Sequence, residues 1–145
     1  MNVIIGSDHG GFKLKAVVKE WLEAQGYQVT DVGTHSEESC DYPDIARLVA
    51  QPLAKGEYDR GIVICGTGIG ISITANKVPG IRAALCGDTF SAKMSRMHNN
   101  ANILAMGERV IGQGLALEIL ETWFATEFEA GGRHETRVAK IEGRA

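Results

Sequence analysis

The chain has 145 residues, 44% apolar and 23% charged, with a formal net charge of −3. That length and balance fit one globular domain and exclude a disordered, collagenous or coiled-coil chain. No block of Lys and Arg occurs, so nothing recommends nucleic acid or a membrane surface as a partner.

Val3-Ile4-Ile5, closed by Gly6, reads as a buried strand. Ser7 to Gly11 is a loop. Leu14, Val17, Val18, Trp21 and Leu22 then recur at helical spacing until Gly26 stops the helix. Gln28 to Val32 is a second strand, and a polar loop holds Thr34 to Asp41. Tyr42-Pro43-Asp44 opens a helix carrying Ile45, Leu48, Val49 and Leu53. Gly61 to Cys65 is a third strand, apolar on both faces, and the glycine loop Gly66 to Gly70 leads into a helix that ends before Pro79-Gly80. Ile81 to Cys86, a helix over Thr89 to His98, a strand over Asn102 to Met106 and a helix around Leu115 to Phe124 follow. Gly131-Gly132 interrupts before a basic tail helix, from about His134 to Ile141.

Five alternations of continuous apolar strands with helices predict an α/β domain spanning residues 1–145. The expected architecture has three layers, α/β/α, around a five-stranded parallel sheet of Rossmann-like type. Strand order is not readable. The 15-residue uncharged run from Gly61 to Ala75 is too short and too glycine-rich to cross a bilayer. The N-terminus lacks the pattern of a signal peptide. Cys40, Cys65 and Cys86 form no CxxC pair, which predicts a reducing cytoplasm with neither disulfides nor a metal site.

Ligands of open α/β sheets bind beyond the carboxyl ends of the strands. This rule selects Asp8-His9 after strand one and Cys65 with its glycine loop after strand three. His98-Asn99, immediately before strand five, joins them. The loop Gly66-Thr67-Gly68-Ile69-Gly70 suits either a tight packing turn or a nest of N–H groups for a phosphate or oxyanion. It lacks the Gly-Lys-Ser/Thr of a P-loop and the GxGxxG spacing, which disfavours a nucleotide. Cys65 is either a small buried filler or a thiolate favoured by the following helix N-terminus. Cys40 and Cys86 read as packing residues. His9 and His98 are candidates for acid–base work or for structural roles, and Asp8 for orienting a hydroxyl or capping a helix. Arg133 and Arg137, four apart, form either a solvated basic face or a phosphate clamp that Arg109 can join.

Together these segments resemble the RpiB/LacAB family of sugar-phosphate isomerases over nearly the whole chain. The resemblance rests on Gly6 to Phe12, Asp41-Tyr42-Pro43, Ile64 to Ser72, Ala75-Asn76-Lys77, Ser95 to Asn102 and Gly131 to His134. It implies cofactor-free and metal-free interconversion of ribose 5-phosphate and ribulose 5-phosphate, within pentose phosphate metabolism. Cys65 matches the base that moves a proton between C2 and C1 through an enediolate. Thr67 matches a residue assisting at the substrate oxygens, and the backbone of Gly66, Gly68, Ile69 and Gly70 an anion hole. His98 matches the group that opens the furanose ring. Asp8, His9, Tyr42 and Asn99 match contacts to sugar hydroxyls or phosphate. Arg109, Arg133 and Arg137 match the phosphate site, with His134 beside them. The resemblance also implies a homodimer with its site shared between subunits; pairing into tetramers stays open. The tail helix, about 134–142, is expected to serve the phosphate site and the dimer. A hexose 6-phosphate (allose or galactose 6-phosphate) as substrate, and a non-catalytic sugar-phosphate-binding module, are the rival readings.

Overall fold

The computed structural model describes residues 1–144, so Ala145 of the expected domain lies outside them. Strand and helix alternate as β1 (Asn2–Ser7), α1 (Phe12–Ala24), β2 (Gln28–Asp31), α2 (Tyr42–Ala54), β3 (Arg60–Cys65), α3 (Ile69–Ala75), β4 (Ala83–Leu85), α4 (Thr89–Met97), β5 (Ile103–Gly107), α5 (Gln113–Ala125) and α6 (Arg133–Ile141). All strand pairs are parallel, as the continuous apolar runs predicted. The sheet order is β2-β1-β3-β5-β4. β5 is inserted between β3 and the short edge strand β4, which is trimmed to three residues from the longer run expected.

Successive strand side chains point to opposite faces, and here each face has its own apolar layer. Val3, Ile5, Ile62, Ile64, Leu104 and Met106 face Val18 and Leu22 of α1, Ala92 of α4, and Ile119 and Trp123 of α5. Ile4, Val63, Cys65, Ile103 and Ala105 face Val49 and Leu53 of α2 and Ile71 of α3. Trp123 is fully buried and donates its Nε1–H to Ser95 Oγ at 3.2 Å. Crossovers that step toward β2 or back from β4 use the first layer, and those that step toward β4 use the second. A single handedness of crossover demands this division.

Local signals set the helix boundaries. Asp8 Oδ1 accepts the N–H of Gly10 at 2.9 Å and caps the short 3₁₀ turn that opens α1. Asp88 accepts from Ser91 N at the start of α4, the usual role of an N-cap carboxylate. Gly26, at φ +84°, follows the last turn of α1, where the left-handed conformation favours glycine.

One ion pair is buried beside the sheet. Lys15 of α1, 3% exposed, donates from Nζ to Asp31 Oδ1 at 2.7 Å and to the Thr34 carbonyl. Burial opposes ionisation of Asp31. The Lys15 hydrogen bond, the Gly33 N–H and the charges of Lys15 and Lys19 outweigh it and hold the carboxyl below its ordinary value. A depressed carboxylate stabilises the fold above its unfolded pKa, and that contribution is lost as the pH falls through the folded value. Asp31→Asn is therefore expected to destabilise the protein by about 3 kcal/mol at neutral pH, because it strands a buried ammonium. Urea titrations should show this difference shrinking only in acid, below the ordinary carboxylate range; a pH-independent difference would discount the ion pair.

Candidate active site

The chain steps from β1 to β2 on one side and to β3 on the other, so the switch point of the sheet lies between β1 and β3. Their carboxyl ends bring Asp8 and Cys65 together. Both line a shallow groove of about 470 Å³ with Tyr42, Gly66, Thr67, Ile69, Gly70 and Ile73.

Three close approaches build the groove. A Cβ on Gly11 would lie 2.6 Å from Ile64 Cγ2 and 2.7 Å from the Ile64 carbonyl oxygen, so the turn after β1 lies directly on β3. Gly68 has φ +78°, and a Cβ there would lie 2.5 Å from Leu85 Cδ1 and 2.8 Å from the Met106 carbonyl carbon. A Cβ on Gly70 would lie 2.5 Å from the Tyr42 ring. Of the two roles the sequence offers this loop, a tight packing turn or an anion nest, the contacts at Gly68 and Gly70 meet the first.

Cys65 is 4% exposed, yet its sulfur accepts the N–H of Gly68 at 3.0 Å on the groove wall. α3 has only seven residues. The help available to a charged group here therefore comes from individual N–H donors rather than from a long helix dipole. Thr67 Oγ1 accepts from Ile69 N at 3.2 Å and is exposed to the groove. Asp8, 6% exposed, uses one carboxylate oxygen as a cap. Cys86, 2% exposed, is a packing residue: burial pushes its thiol up to about 11, with the Ser95 hydrogen bond opposing and Asp88 adding to the rise.

His9 and Arg109 lie on the same edge. With Gly10, Lys13, Glu37 and Glu108 they line an adjoining hollow of about 240 Å³. The Arg109 N–H donates to the Gly66 carbonyl at 3.0 Å, and its guanidinium passes beside Gly66. His9 Nδ1 accepts the Cys40 N–H at 3.2 Å, which leaves Nε2 as the protonated, donating nitrogen. Ile73, Lys13 and Glu108 were not singled out from the sequence. Ile73 follows Ile69 by one helical turn, so its spacing did carry the signal. Glu108 Oε1 accepts from Leu14 N at 2.6 Å, a contact between distant segments that leaves no local pattern.

The remaining candidates are elsewhere, and this corrects the sequence reading. His98 and Asn99 close α4 and precede β5, so they occupy the amino edge of the sheet. A crossover helix returns antiparallel to its strands, and its carboxyl end faces the edge opposite the strands' carboxyl ends. Five residues of β5, at ~3.3 Å each, separate the two edges. Arg133, His134 and Arg137 of α6 gather with His98, so Arg109 does not join their clamp within one chain. The His98 and His134 rings stack with centroids 3.9 Å apart and 9° between planes. Arg82 donates to the Asn99 and Asn100 carbonyls and pairs with Glu142 at 2.7 Å, pinning the far end of α6 to the same loop.

Among the described residues, His98, Glu129 and His134 offer donor atoms within 4.8 Å of one another. Stacked imidazoles carry their nitrogen lone pairs in parallel planes, and Arg133 and Arg137 add positive charge nearby. The arrangement as it stands does not converge on a cation. No helix of the described residues is long and apolar enough to cross a membrane.

An open α/β sheet with a thiol, a hydroxyl, a carboxylate and backbone N–H donors at its switch point is built to hold a small polar or anionic molecule. Comparison with known proteins makes this specific: the model of the ribose/galactose isomerase family matches residues 3–141, and the chain belongs to that family. It is 50% identical to ribose-5-phosphate isomerase B of Escherichia coli, over 96% of this chain and 93% of that protein. The solved ribose-5-phosphate isomerase B of Clostridium thermocellum superposes with a TM-score of 0.97 at 60% identity, covering 99% of this chain and 96% of that one. The Mycoplasma genitalium enzyme, solved with bound ribulose 5-phosphate, superposes with a TM-score of 0.94 at 40% identity, covering 98% and 94%.

Gly68→Ala tests the close approach that builds the groove. The left-handed backbone alone costs about 1–2 kcal/mol with a Cβ, and the collision with Leu85 and Met106 adds to it. The urea midpoint should fall by at least that equivalent; an unchanged midpoint would show that the loop tolerates another conformation.

Proposed function

We propose that this chain is an aldose–ketose isomerase that interconverts ribose 5-phosphate and ribulose 5-phosphate, with Cys65 as the base. The observation that carries the reading is the Cys65 sulfur, held 3.0 Å from the Gly68 nitrogen on the wall of a groove that Thr67 and Asp8 also line. Membership of the ribose/galactose isomerase family supports it.

The chemistry asks for little beyond these groups. A proton alpha to a carbonyl is weakly acidic, and removing it needs a nearby base and donors aimed at the oxygen that gains charge. Cys65 takes the C2 proton of the open-chain aldose, and the electron pair moves toward O1 to give an enediolate. Thr67 and those N–H groups of the Gly66–Gly70 loop that neither the Cys65 sulfur nor Thr67 Oγ1 engages stabilise its oxygens. The proton returns at C1, the proton of the O2 hydroxyl passes to O1, and the carbonyl forms at C2, so no external oxidant or reductant takes part. Asp8, His9, Tyr42 and Asn99 hold sugar hydroxyls or phosphate. Arg109, Arg133 and Arg137 hold the phosphate, and that remote anchor positions the reacting carbons.

His98 opens the furanose ring, and the separation of the two edges determines how it can do so. A pentose phosphate lying against Cys65 does not reach His98 of the same chain across the width of the sheet. The working site is therefore composed of the Cys65 groove of one copy and the α4–α6 cluster of a second, in a two-fold homodimer. An isologous pair of this kind generates two equivalent sites.

The direct test is incubation with ribose 5-phosphate in D₂O, followed by NMR. The expected result is ketose carrying deuterium at C1. Cys65→Ala should abolish both signals while retaining affinity for inorganic phosphate; wild-type turnover in that variant would remove Cys65 from the role of base. Sharing of the site is tested by complementation. Cys65→Ala and His98→Ala should each be inactive alone. Unfolding and refolding them together should recover about a quarter of wild-type activity, from one intact site in each mixed dimer. No recovery would place both groups in one chain's site.

A further inference from the structure

The two histidines of the amino-edge cluster form a pair for which the resemblance gives only one member a chemical role. The resemblance sets His134 beside the phosphate residues Arg133 and Arg137, but on α6 the three differ in burial. Arg133 and Arg137 stand four apart on an exposed face of α6, whereas His134 is 8% exposed and turned inward onto His98. Its ring covers the His98 ring face to face, with 3.9 Å between centroids and 9° between planes. No hydrogen bond from any described residue holds either nitrogen of the His98 ring, so the stacked face is what fixes its plane.

We propose that His134 is a positioning residue for sugar-ring opening: its imidazole is the platform that sets the plane of His98, and it does not itself bind the phosphate. The inference rests on the isomerase reading above.

The surroundings favour a neutral platform. Burial, then the charges of His98 and Arg133, lower the pKa of His134; Glu129, whose carboxylate lies 3.8 Å from its Nε2, opposes them, and Arg137 adds to the lowering. A neutral ring at this distance sets no like charge against the face of His98, whereas a cationic one would. Both sides of the stack are anchored. The Glu129 N–H donates to the Met97 carbonyl at 3.0 Å, tying the α5–α6 connection to the residue before His98. Glu135 accepts the Gly131 N–H at 2.7 Å and fixes the start of α6.

A structural role and a positioning role predict different kinetics, because only one direction of the reaction begins with a closed ring. Ribose 5-phosphate is mostly a furanose and must be opened. In ribulose 5-phosphate the phosphate occupies O5, so no hydroxyl is available to close a five-membered ring on C2, and the ketose is already open. Exchange of its C1 proton with D₂O needs Cys65 but no ring opening.

The experiment compares wild type, His134→Ala and His134→Phe in both assays. His134→Ala should lower kcat on ribose 5-phosphate by about 10- to 100-fold, the scale of a misplaced catalytic group. KM should be nearly unchanged, and deuterium exchange into ribulose 5-phosphate should stay within about twofold of wild type. His134→Phe, which keeps a flat ring and carries no charge, should recover most of the lost kcat. Equal losses in the two assays would reduce His134 to a structural residue, and a raised KM with kcat intact would return it to the phosphate site. A Phe variant as poor as the Ala variant would overturn the platform. Wild-type protein inactive in both assays would sink the isomerase reading and this inference with it.

Discussion

A parallel sheet sends every strand's carboxyl end to one edge and every crossover helix's carboxyl end to the other. This constraint governs where each reactive group of the chain can stand. Asp8, Cys65 and Arg109 follow strands and share one edge, while His98 and Asn99 close a helix and occupy the opposite one. α6, the last element, joins the second group through the His98–His134 stack and through Arg82, which bridges Glu142 to the Asn99 and Asn100 carbonyls. The candidate residues are thereby divided between two edges of the sheet within one chain.

Within the groove, the decisive contacts are between main chains. The turn after β1 lies on β3 at Gly11, and the loop after β3 lies on β5 at Gly68. Each approach is closer than any side chain permits. Together they bring backbone N–H groups, the Cys65 sulfur and the Asp8 carboxylate to one wall without a long or flexible side chain being fixed in place. Preorganisation of this kind favours stabilisation of developing charge, because little has to reorient as the reaction proceeds.

Much of the fold was legible because parallel strands, buried on both faces, are written as uninterrupted apolar runs. Val3-Ile4-Ile5 and Gly61 to Cys65 were found for that reason, and Asp8 and Cys65 followed from the carboxyl-edge rule. Strand order was not legible. Whether a crossover passes over one neighbour or none depends on packing between elements far apart in the chain, and the insertion of β5 beside β3 has no local signature. His98 was assigned to the wrong edge because its nearness to β5 in the sequence outweighed the direction of α4. Arg82 was missed altogether. Nothing around it in the sequence announces that its guanidinium will reach two adjacent carbonyls of the α4–β5 loop and a carboxylate at the end of α6.

α6 buries only His134 and Val138, and beyond them it is attached by polar contacts rather than by the apolar layers of the sheet. The helix behaves as an appendage clipped to a finished domain. Changes in its register or sequence can alter what it presents beside His98, the exposed Arg133 and Arg137 included, while the hydrophobic interior, and with it the integrity of the β-sheet, is left undisturbed.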